Sequence, residues 1–523
     1  MKNISKKNKI ILVIIGVLII TLSILGISYA VWRLFLSQTN KNTIATTCFS
    51  VSMTDADAIA LEKAYPVTDY QGKKLTPYTF TVTNNCNNYA SYQINVELLK
   101  TSTITNMDYI KIMLDDNTPN IISTYDSVPT TISEASSAYK LGVGYLGANE
   151  SVSHTVRLWV DENVTMESEG IQGRTFESKI TVEANYIEAT HVPATTKITQ
   201  LAKTDTTNLA TDDYGNIRYY GANPNNYVEV DGELWRIIGV MKNVSNGRSE
   251  TETRIKMIRK DPIGNYSWYS SEASVNEGWG INEWGSAHLM KLLNPGYEEN
   301  KDTNSSGTEI TVNNSLYYNS DKGTCVNGQS KLTTSCDFTS TGMKKNLKNL
   351  IGNAVWNTGG VIWDSNTNVA SKFYTEERGT RTGKICSGGD YCNDTVERTT
   401  SWTGLVGLMY PSDYGYATGG GKTLDRAACL NLSLHLWYTD GNANAKDCYG
   451  SDWLYNSDMW QWTLTPQARA SLSRIVFYVR SYGHVNNTYA SNAGRVRPVV
   501  YLSSNVTISG GDGTLENPYT LER

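Results

Sequence analysis

The feature that most constrains this chain is an uncharged stretch from Ile10 to Trp32, which follows four lysines among the first nine residues. At about 1.5 Å per helical residue, its 23 residues are enough to cross a hydrocarbon core of roughly 30 Å. Because positively charged flanks stay on the cytoplasmic side, the lysines predict a cytoplasmic amino terminus and an extracellular body. We therefore expect residues 1–36 to be a cytoplasmic tail and transmembrane signal anchor of a single-pass protein of a bacterial cell membrane.

An alternative for this segment is a signal peptide that is removed. Ser28 and Ala30 are small residues at a spacing that signal peptidase accepts, so cleavage after Ala30 would release the protein. The apolar run is longer than the usual signal-peptide core of roughly 7 to 15 residues, which favours a retained anchor. Both alternatives place the rest of the chain outside the cytoplasm.

The cysteine content provides a second, independent indication of an oxidising compartment. The chain has eight cysteines, an even number, and they fall into sequence neighbours. The simplest connectivity has four disulfides: Cys48 with Cys86, Cys325 with Cys336, Cys386 with Cys392, and Cys429 with Cys448. Eight cysteines allow about 105 connectivities, so spacing alone leaves the others open. A zinc site is less favoured because no C-x-x-C motif occurs. We expect no metal and no cofactor.

Residues 37–187 show the period-two hydrophobic pattern of β-strands. In "YTFTVTNN" the apolar residues Tyr78, Phe80 and Val82 alternate with threonine, and "YQINVELL" and "SVSHTVRLWV" repeat the pattern between turn-forming clusters. This pattern predicts an all-β sandwich whose antiparallel sheets each bury one face. In layout, an anchor followed by such a sandwich resembles the camelysin and TasA family of secreted fibre-forming proteins. That likeness implies a structural envelope or fibre subunit as an alternative role.

The remaining sequence predicts a linker and then a second domain. Residues 188–210 are rich in threonine and alanine without a sustained apolar period, which favours a linker. From residue 211 to residue 523, short strands alternate with a few helical stretches. "YVEVDGELWRIIGV" predicts a hairpin at Asp231-Gly232, and "INEWGSAHLMKLLNPGY" predicts a helix ended by Asn-Pro-Gly. This mixture is typical of an α+β module with disulfides.

Several motifs of this module match a known kind of protein. "LWRIIGV", "GLMYPSDYGYA", "WTLTP", "GRVRPVVYL" and "GGDGTLENPYTL" resemble those of uncharacterised modules on bacterial cell-surface proteins. Those modules are distantly similar to the sulfatase-modifying-factor branch of the C-type-lectin-like fold, so the resemblance implies a lectin-like α+β fold. The formylglycine-generating enzymes of that branch need a late cysteine pair to hold copper. No cysteine follows Cys448, so we do not expect that oxidase chemistry.

The sequence gives little indication of catalysis. His288, His435 and His484 have no accompanying G-x-S-x-G motif. The stretch "DGNANAKD" carries oxygen ligands at Asp440, Asn442 and Asn444 but lacks the glycine and glutamate of a calcium loop. We predict no catalytic residues and no enzyme activity, with carboxylate catalysis by Glu283 and Asp413 as a less favoured alternative. A formal net charge of -5 argues against a nucleic-acid partner.

The remaining candidate is an aromatic binding surface in the module. Aromatic rings beside a carboxylate suit a sugar, because axial hydrogens stack on the ring face and hydroxyls bond to acids and amides. We predict an adhesin-like protein that binds a glycan or surface-protein ligand through Trp402, Tyr410, Asp413, Tyr414, Tyr416, Trp437 and Trp453. The alternative is that these rings fill a core that is poor in phenylalanine. The sequence leaves the oligomeric state open.

Overall fold

The structure is a computed structural model that describes ten stretches of the chain. They are residues 49–53, 66–115, 117–165, 174–248, 251–303, 308–379, 399–438, 446–458, 460–468 and 473–523. The chain divides into two compact units, Met1–Ala189 and Thr190–Arg523. The predicted tail and anchor, residues 1–36, lie outside the described residues. Within the described stretches, none of the helices has the length and apolar character needed to cross a membrane.

The first unit contains two antiparallel sheets. Its strands are β1 (Phe49–Met53), β2 (Tyr78–Asn84), β3 (Tyr89–Leu99), β4 (Ile110–Leu114), β5 (Asn120–Ile121), β6 (Ser127–Val128), β7 (Ala135–Leu146), β8 (Glu150–Val160) and β9 (Ser178–Ile187). One sheet has the order β1-β2-β8-β4-β5 and the other β6-β7-β3-β9. A short helix, α1 (Asp69–Gly72), begins at the capping residue Thr68.

The alternating pattern of the sequence determines how these sheets bury their faces. Tyr78, Phe80 and Val82 of β2 are buried, whereas the threonines between them are partly exposed. Tyr92, Ile94 and Val96 of β3, in the other sheet, belong to the same hydrophobic core. Since side chains on one strand face alternate sides of a sheet, the two inner faces supply one shared core. The prediction of β-rich, sandwich-like sheets is confirmed.

The second unit combines two larger sheets with small hairpins. Its strands are β10 (Leu209–Thr211), β11 (Ile217–Tyr219), β12 (Tyr227–Val230), β13 (Glu233–Ser245), β14 (Thr251–Arg259), β15 (Asn265–Ser267), β16 (Glu299–Thr303), β17 (Glu309–Asn313), β18 (Lys322–Val326), β19 (Thr333–Asp337), β20 (Ala354–Asn357), β21 (Ser401–Gly404), β22 (Val406–Gly407), β23 (Gln461–Pro466), β24 (Ile475–Val479), β25 (Val485–Tyr489), β26 (Ala493–Arg495), β27 (Val499–Tyr501), β28 (Thr507–Gly510) and β29 (Thr520–Glu522). The first sheet has the order β10-β11-β13-β14-β27-β22 with β12 paired to β13, and the second has the order β15-β26-β23-β24-β25.

Short helices connect these strands. They are α2 (Ala194–Thr204), α3 (His288–Leu293), α4 (Leu316–Asn319), α5 (Lys345–Leu350), α6 (Ala370–Glu377), α7 (Pro411–Tyr416) and α8 (Arg426–Leu430). The predicted hairpin at Asp231-Gly232 is present between β12 and β13, and both turn residues have positive φ, 51° and 77°. These values suit a tight turn that matches the twist of the strands. The chain end returns to this hairpin, because Tyr519 forms a parallel bridge with Val228.

The segment predicted to be a linker is instead part of the second unit. Helix α2 occupies residues 194–204, and Ile198 is only 1% exposed in the hydrophobic core. The backbone amide of Ala194 donates to the carbonyl of Val506 at 2.8 Å, which ties the helix to the last strands. Ala194, Ile198 and Leu201 follow the spacing of one helix face. The many threonines around them obscured that pattern in the sequence.

Two of the predicted disulfides are present among the described residues. Cys325 is joined to Cys336 and Cys429 to Cys448. Cys86 is also disulfide-bonded, but its predicted partner Cys48 lies outside the described residues. The predicted pair of Cys386 and Cys392 lies outside them as well.

Candidate functional site

A cleft of about 410 Å³ opens in the second unit at the end of strand β13. A volume of roughly 300 to 1,000 Å³ is usual for a small-molecule site. The wall is formed by the end of β13, by β20, by the last turn of α6 and by β27. Its residues are Tyr214, Met241, Lys242, Asn243, Val244, Ser245, Val355, Asn357, Tyr374, Arg378 and Tyr501.

Two tyrosine rings and a guanidinium form a stack along one wall of the cleft. The ring centroids of Tyr214 and Tyr374 are 4.0 Å apart in a stacked arrangement. The guanidinium carbon of Arg378 lies 3.4 Å from the centroid of the Tyr374 ring. Tyr374 is thus covered on both faces, whereas Tyr214 is 39% exposed. Tyr214 is therefore the more exposed of these two rings, both of which line the cleft.

Asn216 holds two parts of this cleft in position. Its side-chain amide donates to the Tyr374 hydroxyl at 3.1 Å, and its carbonyl oxygen accepts from the backbone of Lys242 at 2.9 Å. The same amide donates to Asp212 at 3.0 Å. The Tyr214 hydroxyl donates to the carbonyl of Ser371 on α6 at 3.1 Å. These bonds fix the stacked rings before any ligand arrives, which lowers the entropic cost of binding.

Behind the cleft wall lies a buried chain of alternating charges: Asp212, Arg218, Asp413 and Lys256. Arg218 donates to Asp212 at 2.9 Å and to Asp413 at 2.6 Å, and Lys256 donates to the second oxygen of Asp413. All four side chains are almost completely buried. Lys256 pairs with the cleft residue Tyr501 across strands β14 and β27. The charges of the four groups therefore balance one another directly beneath the site.

The pKa values of Asp413 and Lys256 in this chain are both lowered, for different reasons. Burial alone would raise the pKa of Asp413, but Lys256 and Arg218 outweigh it and hold this pKa at about 2. Burial lowers the pKa of Lys256 to about 8, although Asp413 partly opposes that effect. Because neutral pH lies between these two pKa values, Asp413 is deprotonated and Lys256 is protonated at that pH. Its role is to connect α7 to the sheet that carries the cleft.

Glu377, at the end of α6, binds Ser412 of α7, the residue before Asp413. Its carboxylate accepts from the backbone amide of Ser412 at 3.2 Å and from the Ser412 hydroxyl at 2.5 Å. Nη1 of Arg378 lies 3.4 Å from Oε2, the same oxygen that accepts from the Ser412 hydroxyl. Burial raises the pKa of Glu377 to about 7 in spite of Arg378. Its charge therefore changes near neutral pH.

We expect Glu377→Gln to alter the pH dependence of stability. The pKa rises from 4.5 in the unfolded chain to about 7 in the folded one, so the folded state binds the proton more tightly. The contribution of Glu377 to the stability of wild type is then lost as the pH rises through 7. The variant does not show this loss, because its glutamine side chain does not titrate. Relative to wild type, the free energy of unfolding of the variant should increase by about 2 kcal/mol between pH 5 and pH 8. If urea denaturation shows the same difference in free energy of unfolding between variant and wild type at every pH from 5 to 8, this prediction is wrong.

The predicted binding residues do not form one exposed surface, so that prediction needs correction. Six of the seven are buried: Tyr410, Asp413, Tyr414, Tyr416, Trp437 and Trp453. The Tyr414 hydroxyl donates to the Gly483 carbonyl, and the Trp453 indole donates to that of Tyr219. Trp402 is partly buried, edge-on to Trp284. These rings fill the core, and Tyr410 and Asp413 support the cleft from behind.

Of the other candidate groups, only His435 and His484 lie together, in an edge-to-face contact. His288 lies 3.1 Å from Asp302, whereas the rings of His435 and His484 are 5.3 Å apart. Glu283 accepts a hydrogen bond from Ser286, and Asp413 is occupied by its two cations. Among the described residues, no cluster of three or more His, Cys, Asp or Glu could hold a metal ion. The possible calcium loop at Asp440, Asn442 and Asn444 lies outside the described residues.

The sequence alone could have identified only part of this cleft. Tyr374 and Arg378 are four residues apart on one helix, a spacing that places two side chains on the same face. That pair could have been found from the sequence. Tyr214 and Lys242 come from other parts of the chain, and only the fold brings them to the cleft.

The comparisons with known proteins do not assign this chain to a family. No family model and no curated protein matches this chain. A search of solved structures found a protein described as AvmM, which catalyses macrocyclization in alchivemycin A biosynthesis. It is 12% identical, with a TM-score of 0.15, and the match covers 27% of this chain and 90% of that one. So low a score carries no argument about fold or activity.

Proposed function

We propose that this chain is a membrane-anchored, adhesin-like surface protein whose second unit binds a glycan in the cleft without catalysing a reaction. The observation that carries the proposal is the stacked pair of Tyr214 and Tyr374. Tyr214, the exposed ring of this pair, lines the cleft together with Asn243 and Asn357. A flat aromatic face takes the axial hydrogens of a sugar ring, while amides bond to its hydroxyls.

The proposed location rests on the lysines and apolar run at the amino terminus together with the disulfides. Disulfides persist in oxidising surroundings and are rare in the cytosol. Cys325–Cys336 and Cys429–Cys448 therefore favour a body outside the cytoplasm. The resemblance of the second unit to C-type-lectin-like modules stays a prediction, and it agrees with a binding role.

The test is binding of the purified full-length chain, in detergent, to a glycan array. We expect retention of at least one class of glycan by wild type and at least a tenfold weaker affinity for Tyr214→Ala. A matched control is Tyr482→Ala, because Tyr482 is also exposed, at 51%, but does not line the cleft. Its affinity should equal that of wild type.

The proposal would fail if the array retained no glycan, or if Tyr482→Ala rather than Tyr214→Ala abolished binding. Cross-linking on intact cells tests the structural-subunit alternative. A ladder of regular oligomers without glycan binding would favour that alternative.

A further inference from the structure

The charge of the cleft is one-sided. Of the eleven residues that line it in the described part of the chain, two are cationic, Lys242 and Arg378, and none is acidic. The chain as a whole is acidic, with a formal net charge of -5. A local excess of positive charge in a concave site attracts an anionic ligand and raises its rate of association.

Arg378 has the geometry to recognise such a group. Nη1 donates to the carbonyl of Tyr374 at 3.1 Å and faces Glu377 at 3.4 Å. Its side chain keeps 27% of its surface exposed, and the contacts described involve only Nη1. The other edge of the planar guanidinium, Nε and Nη2, can therefore meet a carboxylate through two parallel hydrogen bonds. Stacking on Tyr374 holds this fork in place.

Lys242 supplies the second positive charge on the same side as the open ring. A Cβ atom added at Gly215 would lie 3.4 Å from its ammonium nitrogen, so that nitrogen lies beside the Tyr214-Gly215 turn. Lys242 itself is exposed. Buried Glu377 offsets part of the charge of Arg378, whereas no carboxylate pairs with Lys242 among the described ion pairs. Lys242 and Arg378 are therefore the charged side chains that line the cleft, and no carboxylate of the described residues lines it with them.

We propose that the ligand of this cleft is an acidic sugar, a uronic-acid unit of a glycan, with its ring on Tyr214 and its carboxylate on Arg378 and Lys242. This inference rests on the proposed function and specifies its substrate class. The Tyr214 ring suits the sugar ring of such a unit, and the planar guanidinium of Arg378 suits its carboxylate. The two elements together favour a uronate over a neutral sugar, which would offer no anionic group to Lys242 or to the outer edge of the Arg378 guanidinium.

The test uses calorimetric titration of the full-length chain in detergent. The probes are short oligosaccharides of galacturonate, glucuronate and mannuronate, each compared with its neutral methyl ester. We expect at least one uronate to bind at least tenfold more tightly than its ester. Arg378→Met should weaken binding of that uronate at least tenfold and that of its ester less than threefold, and Lys242→Met should weaken the uronate severalfold. Arg480→Met, which changes an exposed arginine outside the cleft, should bind as wild type does.

Three results would overturn the inference. Equal binding of uronate and ester would remove the selectivity for an acid but leave the glycan-binding proposal standing. Binding of a polyglutamate peptide in place of the uronates would assign the site to acidic protein segments. No binding of any uronate, with neutral glycans retained on the array, would also refute it. Because Arg378→Met removes a contact of buried Glu377, its folding should be checked by circular dichroism, and Lys242→Met tests the same charge at an exposed position.

Discussion

Replacing Asp413 by asparagine should lower the free energy of unfolding of the second unit by about 3 to 5 kcal/mol. Asp413 is 2% exposed and neutralises both Arg218 and Lys256. The amide keeps the shape of the side chain but leaves two buried cations with one counter-ion, Asp212. An uncompensated charge in a low-dielectric interior costs far more than a lost surface ion pair. The midpoint of thermal unfolding should fall by roughly 10 °C.

Two controls separate charge from packing in this experiment. Asp213→Asn removes an exposed carboxylate nearby and should change the free energy of unfolding by less than about 0.5 kcal/mol. Adding Lys256→Met to Asp413→Asn removes one of the orphaned cations and should recover part of the lost stability. If Asp413→Asn unfolds in urea at the wild-type midpoint, the buried chain of charges does not support the cleft as described.

The second large effect is expected from the disulfide between Cys429 and Cys448. It closes a loop with a sequence separation of 19, and removing such a constraint costs about 3 kcal/mol. Both sulfurs belong to fully buried residues, so the variant Cys429→Ser with Cys448→Ser also places two hydroxyls in the core. We expect a decrease in the free energy of unfolding of at least about 3 kcal/mol. Dithiothreitol, which also reduces Cys325–Cys336, should lower the stability of wild type at least as much.

The same disulfide gives a test of the proposed location. Alkylation under denaturing conditions, without reductant, of the protein isolated from cells should leave Cys429 and Cys448 unmodified, as seen by mass spectrometry. Alkylation of both thiols would show that the bond is absent in the cell. That result would contradict an extracytoplasmic body.

Local patterns predicted the sheets well, because their causes are local. The alternation around Tyr78, Phe80 and Val82 directly reflects a strand with one buried face. The turn at Asp231-Gly232 needs two residues with positive φ, and few sequences accept them. Helix α2 was missed because Ile198 is buried in a core to which strands as distant as β14 and β28 contribute, and no local window contains them.

The site was predicted less well, because aromatic residues occur both in cores and on binding faces. Trp437 and Trp453 were expected on a surface, yet they fill the interior. The composition itself offers the explanation: with only 7 Phe against 33 Tyr and 13 Trp, tyrosine and tryptophan must pack much of the core. Burial depends on the fold, so residue type alone could not separate Trp437 from Tyr214.

The central claim is that ligand binds in the cleft beside Tyr214, and hydrogen–deuterium exchange of the full-length chain tests it most directly. With a glycan that the array retains, we predict slower exchange in residues 241–245, 354–357 and 370–378, which form the cleft wall. Unchanged exchange there would contradict the account. So would protection confined to the other tyrosine cluster, Tyr438, Tyr449 and Tyr482.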